Sequence, residues 1–374
     1  MHIPDGYLSP STCATLYVAS APFWYIALQR VRRLLNTRLV PLLAVFSAFS
    51  FVIMMFNLPL PGGTTGHAVG MGIATIVLGP WGSMLAVSVA LLIQALFFGD
   101  GGVTAFGANC FNMAIVGSLV AYWVYRAIAG RTALTSQRRV VAAAIAGYVA
   151  INVAALLAAI EFGIQPALFT DASGAPLYAP DPLSVAVPAM MLGHLTIAGL
   201  AELVVTGGVV AYLQRSDSAL LKLTAPGAAD ANDGVQSVNQ RDGWRTARPL
   251  LIGLALLMVL SPLGLLAAGT AWGEWAPEDF ATPEARQEIQ AGSVHQAPPD
   301  GVPGGLDRLS SVWTAPIPDY APPFMQSESF GYILSAVFGA GLIMLAFLLI
   351  SWVAVLLRGR REPDPTSHPG AGTA

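Results

Sequence analysis

The chain has almost no lysine. Lys222 is the single example among 374 residues, and it follows Leu221. A phosphate-cradling loop of the GxxxxGK[ST] type needs lysine directly after glycine. The chain therefore does not bind ATP in that way, and any energy coupling comes from a partner. Charge of either sign is scarce: 10% of residues are charged and the net charge is −3, where soluble domains carry about a quarter charged residues. Without a basic patch to neutralise a run of phosphates, nucleic acid is excluded as a partner. Cysteine is nearly absent too. Cys13 and Cys110 lie in apolar stretches, where a thiol behaves as a small buried hydrophobe rather than a disulfide or a ligand. The start, MHIPDGYLSP, lacks the positive region and continuous apolar core of a signal peptide, so no cleavage is expected and Met1 is retained.

What the chain does have is apolar length: 55% of its residues are hydrophobic. A spanning helix needs about 20 mostly apolar residues. Nine segments approach this, at 12–28, 39–56, 68–80, 82–98, 108–128, 140–162, 184–213, 249–268 and 331–357, with 68–98 open to reading as a re-entrant hairpin. The fold class is an all-α integral membrane protein, a seven-helix transmembrane body with a two-helix carboxyl-terminal appendage. With the amino terminus outside, only Arg286 and Arg308 of the 18 basic residues fall on outer segments. Both lie in a long loop of the kind that crosses regardless of charge, so the carboxyl terminus is expected to be cytoplasmic. Residues 1–215 form the body. Residues 216–246, polar and without periodicity, read as a flexible cytoplasmic linker. Residues 247–357 form the two-helix part around an outer loop at 269–330, and the Pro- and Gly-bearing tail, 358–374, reads as disordered.

The first two residues carry chemistry. A bulky His2 protects Met1 from trimming, leaving a free amine once the formyl group is removed. That amine, the His2 amide nitrogen and the His2 imidazole can close two fused chelate rings on one ion. Planar nitrogen ligation suits Ni(II) and Cu(II), with Co(II) lower in affinity. His67, in PGGTTGHAVG between the second and third apolar segments, shares the outer side and is the candidate fourth donor. Gly62, Gly63 and Gly66 let that loop turn tightly against another segment.

MHIPDG, PGGTTGHAVG and LFFGDGGVTAFGANCFNMAIVG together resemble the three signature stretches of the CbiM/NikM family, the substrate-specific subunits of energy-coupling-factor importers for cobalt and nickel. The resemblance covers roughly residues 1–215. It implies a square-planar site on the Met1 amine, the backbone and ring nitrogens of His2, and His67. It also implies a membrane coupling (T) subunit and ATPase (A) subunits as partners in the cell membrane. No cofactor is held permanently; Ni2+ or Co2+ is the cargo. The carboxyl-terminal part resembles the small CbiN/NikN companion subunit. Where that companion has a PDGLE-like stretch, this chain has Pro299, Asp300 and Gly301, then Gly305, Leu306 and Asp307, with Asp319 and Tyr320 before the last span.

Other polar residues leave alternatives open. Asp100, Asn109 and Asn112 belong to the third stretch, with the two asparagines three apart on one helical face. They either orient the amino-terminal loop or His67 from behind, or make interhelical amide bonds. His194 and Glu202, eight apart in the seventh segment, read as structural pairing within the bundle or as a pathway lining. His295 and His368 are expected in solvent. An intramembrane metalloprotease would need a helix-borne HExxH-like pair, and the histidines are far apart in sequence. A membrane metal sensor would need a signalling domain, and none follows Arg361.

Overall fold

A computed structural model describes residues 1–34, 39–228, 243–322 and 324–359. Helix dominates, and six described helices are long and apolar enough to cross a membrane: Met71–Phe98, Phe106–Ala129, Gln137–Leu168, Leu183–Ser216, Arg248–Leu266 and Glu328–Ile350, with a shorter apolar helix at Val40–Met54. In chain order, α1 is Pro10–Leu34, α2 Leu39–Met54, α3 Met71–Ile93, α4 Phe106–Ala129, α5 Gln137–Gly163, α6 Leu183–Ser216, α7 Gly243–Leu260 and α8 Glu328–Gly359. Leu256, Val259, Leu345, Leu348 and Trp352 point away from the protein, as they must where the solvent is lipid. This is an all-α, multi-pass membrane protein.

The packing follows from the sequence. In α5 the Ser136 side chain accepts the Arg138 N–H and caps the start. Ala142, Ala146, Ala150, Ala154 and Ala158 then recur every fourth residue, all buried. Such a small-residue ridge lets a neighbouring helix come close, which is how helices associate when hydrophobicity cannot drive them together in lipid. The α6 helix packs against α5, with Gly147 facing Thr206.

Residues 68–98, counted above as two spans or a hairpin, fold as a sharply bent α3. Gly79 takes φ 71° ahead of Pro80, a conformation free of strain only for glycine. The Ser83 hydroxyl reaches the Met71 carbonyl at 3.5 Å, whereas twelve residues of straight helix would separate them by roughly 18 Å. The chain doubles back, and its first arm, roughly 12 Å long, is too short to span a hydrocarbon core of about 30 Å. The seven-plus-two count of crossing helices is therefore not reproduced.

The first part of the segment read as linker is folded. Ser218–Thr224 forms a 3-10 helix with Leu221 buried, and the Thr224 hydroxyl donates to the Ile76 carbonyl at 2.7 Å. The end of that linker reading, 243–246, opens α7, while 229–242 and the tail beyond Gly359 lie outside the described residues, His368 among them.

The appendage packs on α2 through α7 and α8. Its long loop, 269–330, is built against the body, burying Trp272, Trp275, Phe280, Ile289, Leu306 and Tyr320. A short ribbon, Leu58–Pro59 paired with Thr65–Gly66, carries the approach to His67. The loop adds to this ribbon, since the Thr65 N–H donates to the Thr270 carbonyl at 3.3 Å.

Candidate metal centre

The first nine residues are not a tail but a plug. Met1, His2, Ile3, Tyr7, Leu8 and Ser9 are all buried. Asp5 holds the plug in place, because its carboxylate accepts the N–H groups of Val103 at 3.0 Å and Thr104 at 2.7 Å, and the Thr104 hydroxyl as well. The Gly102 N–H donates to the Ile3 carbonyl at 2.8 Å. A Cβ at Gly102 would collide with the Asp5 backbone, so this approach needs glycine. Asn109 grips Ile3 with both ends of its amide, accepting the Ile3 N–H at 2.8 Å and donating to the Ile3 carbonyl at 3.0 Å.

This plug brings His2 to His67, with ring centroids 5.0 Å apart. The buried His67 ring places Nδ1 3.1 Å from the Ala68 carbonyl. A carbonyl only accepts, so Nδ1 carries the proton and Nε2 keeps its lone pair for an ion. Burial, with help from the nearby His2 and terminal amine, pushes the His67 pKa well below the ordinary imidazole value, so the ring is neutral. His2 Nδ1 approaches Asp100 Oδ1 to 2.7 Å, yet the ring N–H direction does not aim at the oxygen. Both His2 nitrogens are therefore buried without an aligned hydrogen-bond partner. The close approach is a polar contact without hydrogen-bond alignment, and Nε2 is a buried ring nitrogen with no hydrogen-bond partner, a group that calls for an explanation.

Asp100 is held in turn. Its Oδ2 accepts the Tyr320 hydroxyl at 2.5 Å and the Gln94 amide at 3.0 Å, and Gln94 also donates to the Tyr320 oxygen at 2.8 Å. Burial opposes ionisation of Asp100, but the His2 and His67 rings and the Tyr320 hydroxyl outweigh it and hold the carboxyl below its usual range. Burial and the Asp100 charge push the Tyr320 hydroxyl well up, so it remains a donor. Tyr320 takes φ 59° and Asp319 φ 53°, a strained pair that delivers the Tyr320 ring onto Phe98 at 4.7 Å.

The amine of Met1 lies 3.4 Å from Glu274 Oε1, contributed by the long loop of the appendage. Among the described residues, no group of three His, Cys, Asp or Glu side chains is arranged to hold an ion.

The remaining residues singled out by sequence fall elsewhere. Asn112 donates to Glu161 at 2.8 Å rather than supporting His67. His194 Nδ1 donates to the Met190 carbonyl at 2.9 Å. His194 and Glu202 form no hydrogen bond with each other. Glu202 instead accepts the N–H groups of Val69, Gly70 and Gly72 at 2.9, 2.8 and 3.1 Å, capping α3 just after His67. His295 is exposed. Sequence reasoning missed Glu274, Gln94 and the clamp made by Asp5. Asp5 sits in MHIPDG and Gln94 just before LFFGDGG, so both were near a signal; Glu274 had none.

Residues 2–220 match the family described as the cobalt uptake substrate-specific transmembrane region, and residues 247–356 match the PDGLE domain. The chain is 56% identical to the fused nickel transport protein NikMN of Rhodobacter capsulatus, covering 96% of this chain and 99% of that protein. It is 42% identical to the probable fused nickel transport protein LarMN of Lactiplantibacillus plantarum, covering 98% of this chain and 100% of the relative. A solved structure described as a truncated transition metal transporter superposes with a TM-score of 0.54 at 51% identity, covering 57% of this chain and 99% of that one.

Proposed function

Since the chain belongs to the cobalt uptake substrate-specific transmembrane family, with a PDGLE domain fused behind it, we propose that it is the metal-binding membrane subunit of an ATP-driven energy-coupling-factor importer for nickel or cobalt ions. It is a transport protein, not an enzyme. The observation that carries the reading is the burial of the chain start against His67, with ring centroids 5.0 Å apart.

The Met1 amine, the His2 amide and ring nitrogens and His67 Nε2 supply four nitrogens for a planar site, which suits Ni(II) and accepts Co(II). The His2 nitrogen that closes a chelate ring with its own amide is Nδ1, the one beside Asp100. An ion on Nδ1 takes the place of that contact, so Asp100 steadies the ring in the ion-free chain and remains near the ion as a counter-charge. Asn109 and Asp5 hold the backbone so that the amine and amide arrive in register. With His67 neutral, one dication takes the place of one amine proton and one amide proton. The buried charge is unchanged, which suits a site shielded from water.

The positive-inside bias puts this site on the extracytoplasmic face. Residues 1–215 form the metal-binding body and 247–357 the companion part, joined through 216–246. Energy comes from ATPase subunits and a membrane coupler, because this chain has no phosphate loop. The test is uptake of labelled nickel against cobalt in cells expressing the gene with and without those subunits. Uptake that needs both kinds of subunit is expected. Robust ATP-dependent accumulation by the purified chain alone in liposomes overturns the reading.

A further inference from the structure

The Met1 amine makes an ion pair with one carboxylate, and that carboxylate comes from the appended part of the chain: Glu274 Oε1 at 3.4 Å. Its position is fixed from several sides. The Tyr7 hydroxyl donates to the Trp275 carbonyl at 2.7 Å, and Thr65 bridges to the backbone at Thr270 and Ala271. Trp272 donates to Ser293 at 3.1 Å, and Ser293 donates to Asp181 of the body at 3.1 Å. Gly273 packs against the tip of the Phe162 ring, where a Cβ would come within 2.9 Å of Cζ. A residue clamped on both flanks to the body does not meet the amine by chance. Glu274 keeps 21% of its side chain exposed while the Met1 side chain is 1% exposed, so it stands between the amine and the outside.

We propose that Glu274 is a positioning residue for the transported dication: its carboxylate holds the Met1 amine in the ion-free chain and keeps accepting an amine N–H once an ion sits on the nitrogen lone pair. This rests on the donor set proposed above. A primary amine bound to a metal retains two N–H bonds, and a fixed oxygen on one of them sets the direction of the lone pair. The carboxylate also adds a negative charge to that of Asp100, which slows the escape of a dication. Glu274 contributes no donor atom to the ion. The appended part thereby takes a direct share in holding the cargo.

The test uses the full chain purified in detergent, with Ni(II) as the probe against a competing chelator. Glu274→Ala removes acceptor and charge, while Glu274→Gln keeps size and an oxygen but drops the charge. Affinity is expected to fall between about tenfold and a hundredfold in the alanine variant, the range for losing a partner that orients a ligand, with glutamine intermediate. The ligand-field absorption of the ion-saturated protein should match the parent in both, because the nitrogens are unchanged. An affinity within twofold of the parent in either folded variant, judged by its elution and melting, overturns the proposal. So does a shifted spectrum, which would make Glu274 a donor. His67→Ala is measured in parallel: a parental spectrum there sinks the nitrogen donor set, and the two affinities are read separately.

Discussion

The carboxylate of Glu202 accepts the backbone N–H of Gly70 at 2.8 Å, across 132 positions of sequence. With Val69 and Gly72 also donating to it, one buried side chain satisfies three of the orphan donors at the start of α3. His67 lies three residues upstream of this cap, so Glu202 fixes the loop that aims the ring.

Removing the carboxylate leaves those donors unsatisfied where no water replaces it. Glu202→Ala should lower stability by at least about 2 kcal/mol and weaken Ni(II) binding with it, read by thermal melting and chelator competition on the same preparation. Glu202→Gln, which keeps an acceptor, should lose less. Parental melting of the alanine variant would remove Glu202 from this role.

An amino-terminal extension turns the Met1 amine into an amide. Uptake in cells carrying the coupling subunits should be abolished by one added residue, and equally by His2→Ala or His67→Ala. His295→Ala, altering an exposed side chain, should leave it intact, as should a tag after Thr373. Normal transport by a stably inserted, unprocessed amino-terminal fusion would refute the coordination.

Binding should weaken as pH falls. An ion displaces a proton from the amine and another from the amide, so affinity should drop by roughly a hundredfold per pH unit while both start protonated. His67 adds no further proton near neutrality, because burial has already pushed its pKa down. A slope of a single proton in Ni(II) titrations at several pH values would mean that one of the two is not a donor.

Asp181 makes the loop's grip on the body sensitive to pH. Burial pushes its carboxyl up to about 6, with the Ser293 hydroxyl pulling the other way. Its folded value lies above the unfolded one, so the folded state binds the extra proton. Stability is then lost as pH rises from about 4 through 6, by up to roughly 3 kcal/mol. Asp181→Asn keeps the contact with Ser293 and should melt higher than the parent at pH 8, with the difference closing by pH 4. A lower melting temperature for the variant at pH 8 would contradict this.

The candidate site's residues were legible as a group because they lie in short contiguous stretches. Met1, His2 and His67 stand in two of them, and the glycines around His67 announce a tight loop. The asparagines show where spacing misleads. Three residues apart on a regular helix, Asn109 and Asn112 would share a face, but a π-helical turn begins at Cys110. The wider turn rotates the register, so Asn109 meets Ile3 while Asn112 meets Glu161. The bend in α3 left a signal at Gly79–Pro80, whereas the role of Glu202 left none, since a carboxylate in an apolar run does not name the backbone it caps. Glu274 was beyond reach for the same reason: its meaning depends on a contact 273 residues away.

That separation sets a timetable for biosynthesis. Met1 leaves the ribosome first, while the residue that covers its amine is added 273 positions later, a delay on the order of a quarter to a full minute at ordinary elongation rates. If the Met1 amine is the donor proposed above, it must be free before the loop closes over it. On that donor set, a chain whose terminus stayed blocked until the loop closed would be folded yet unable to accept an ion.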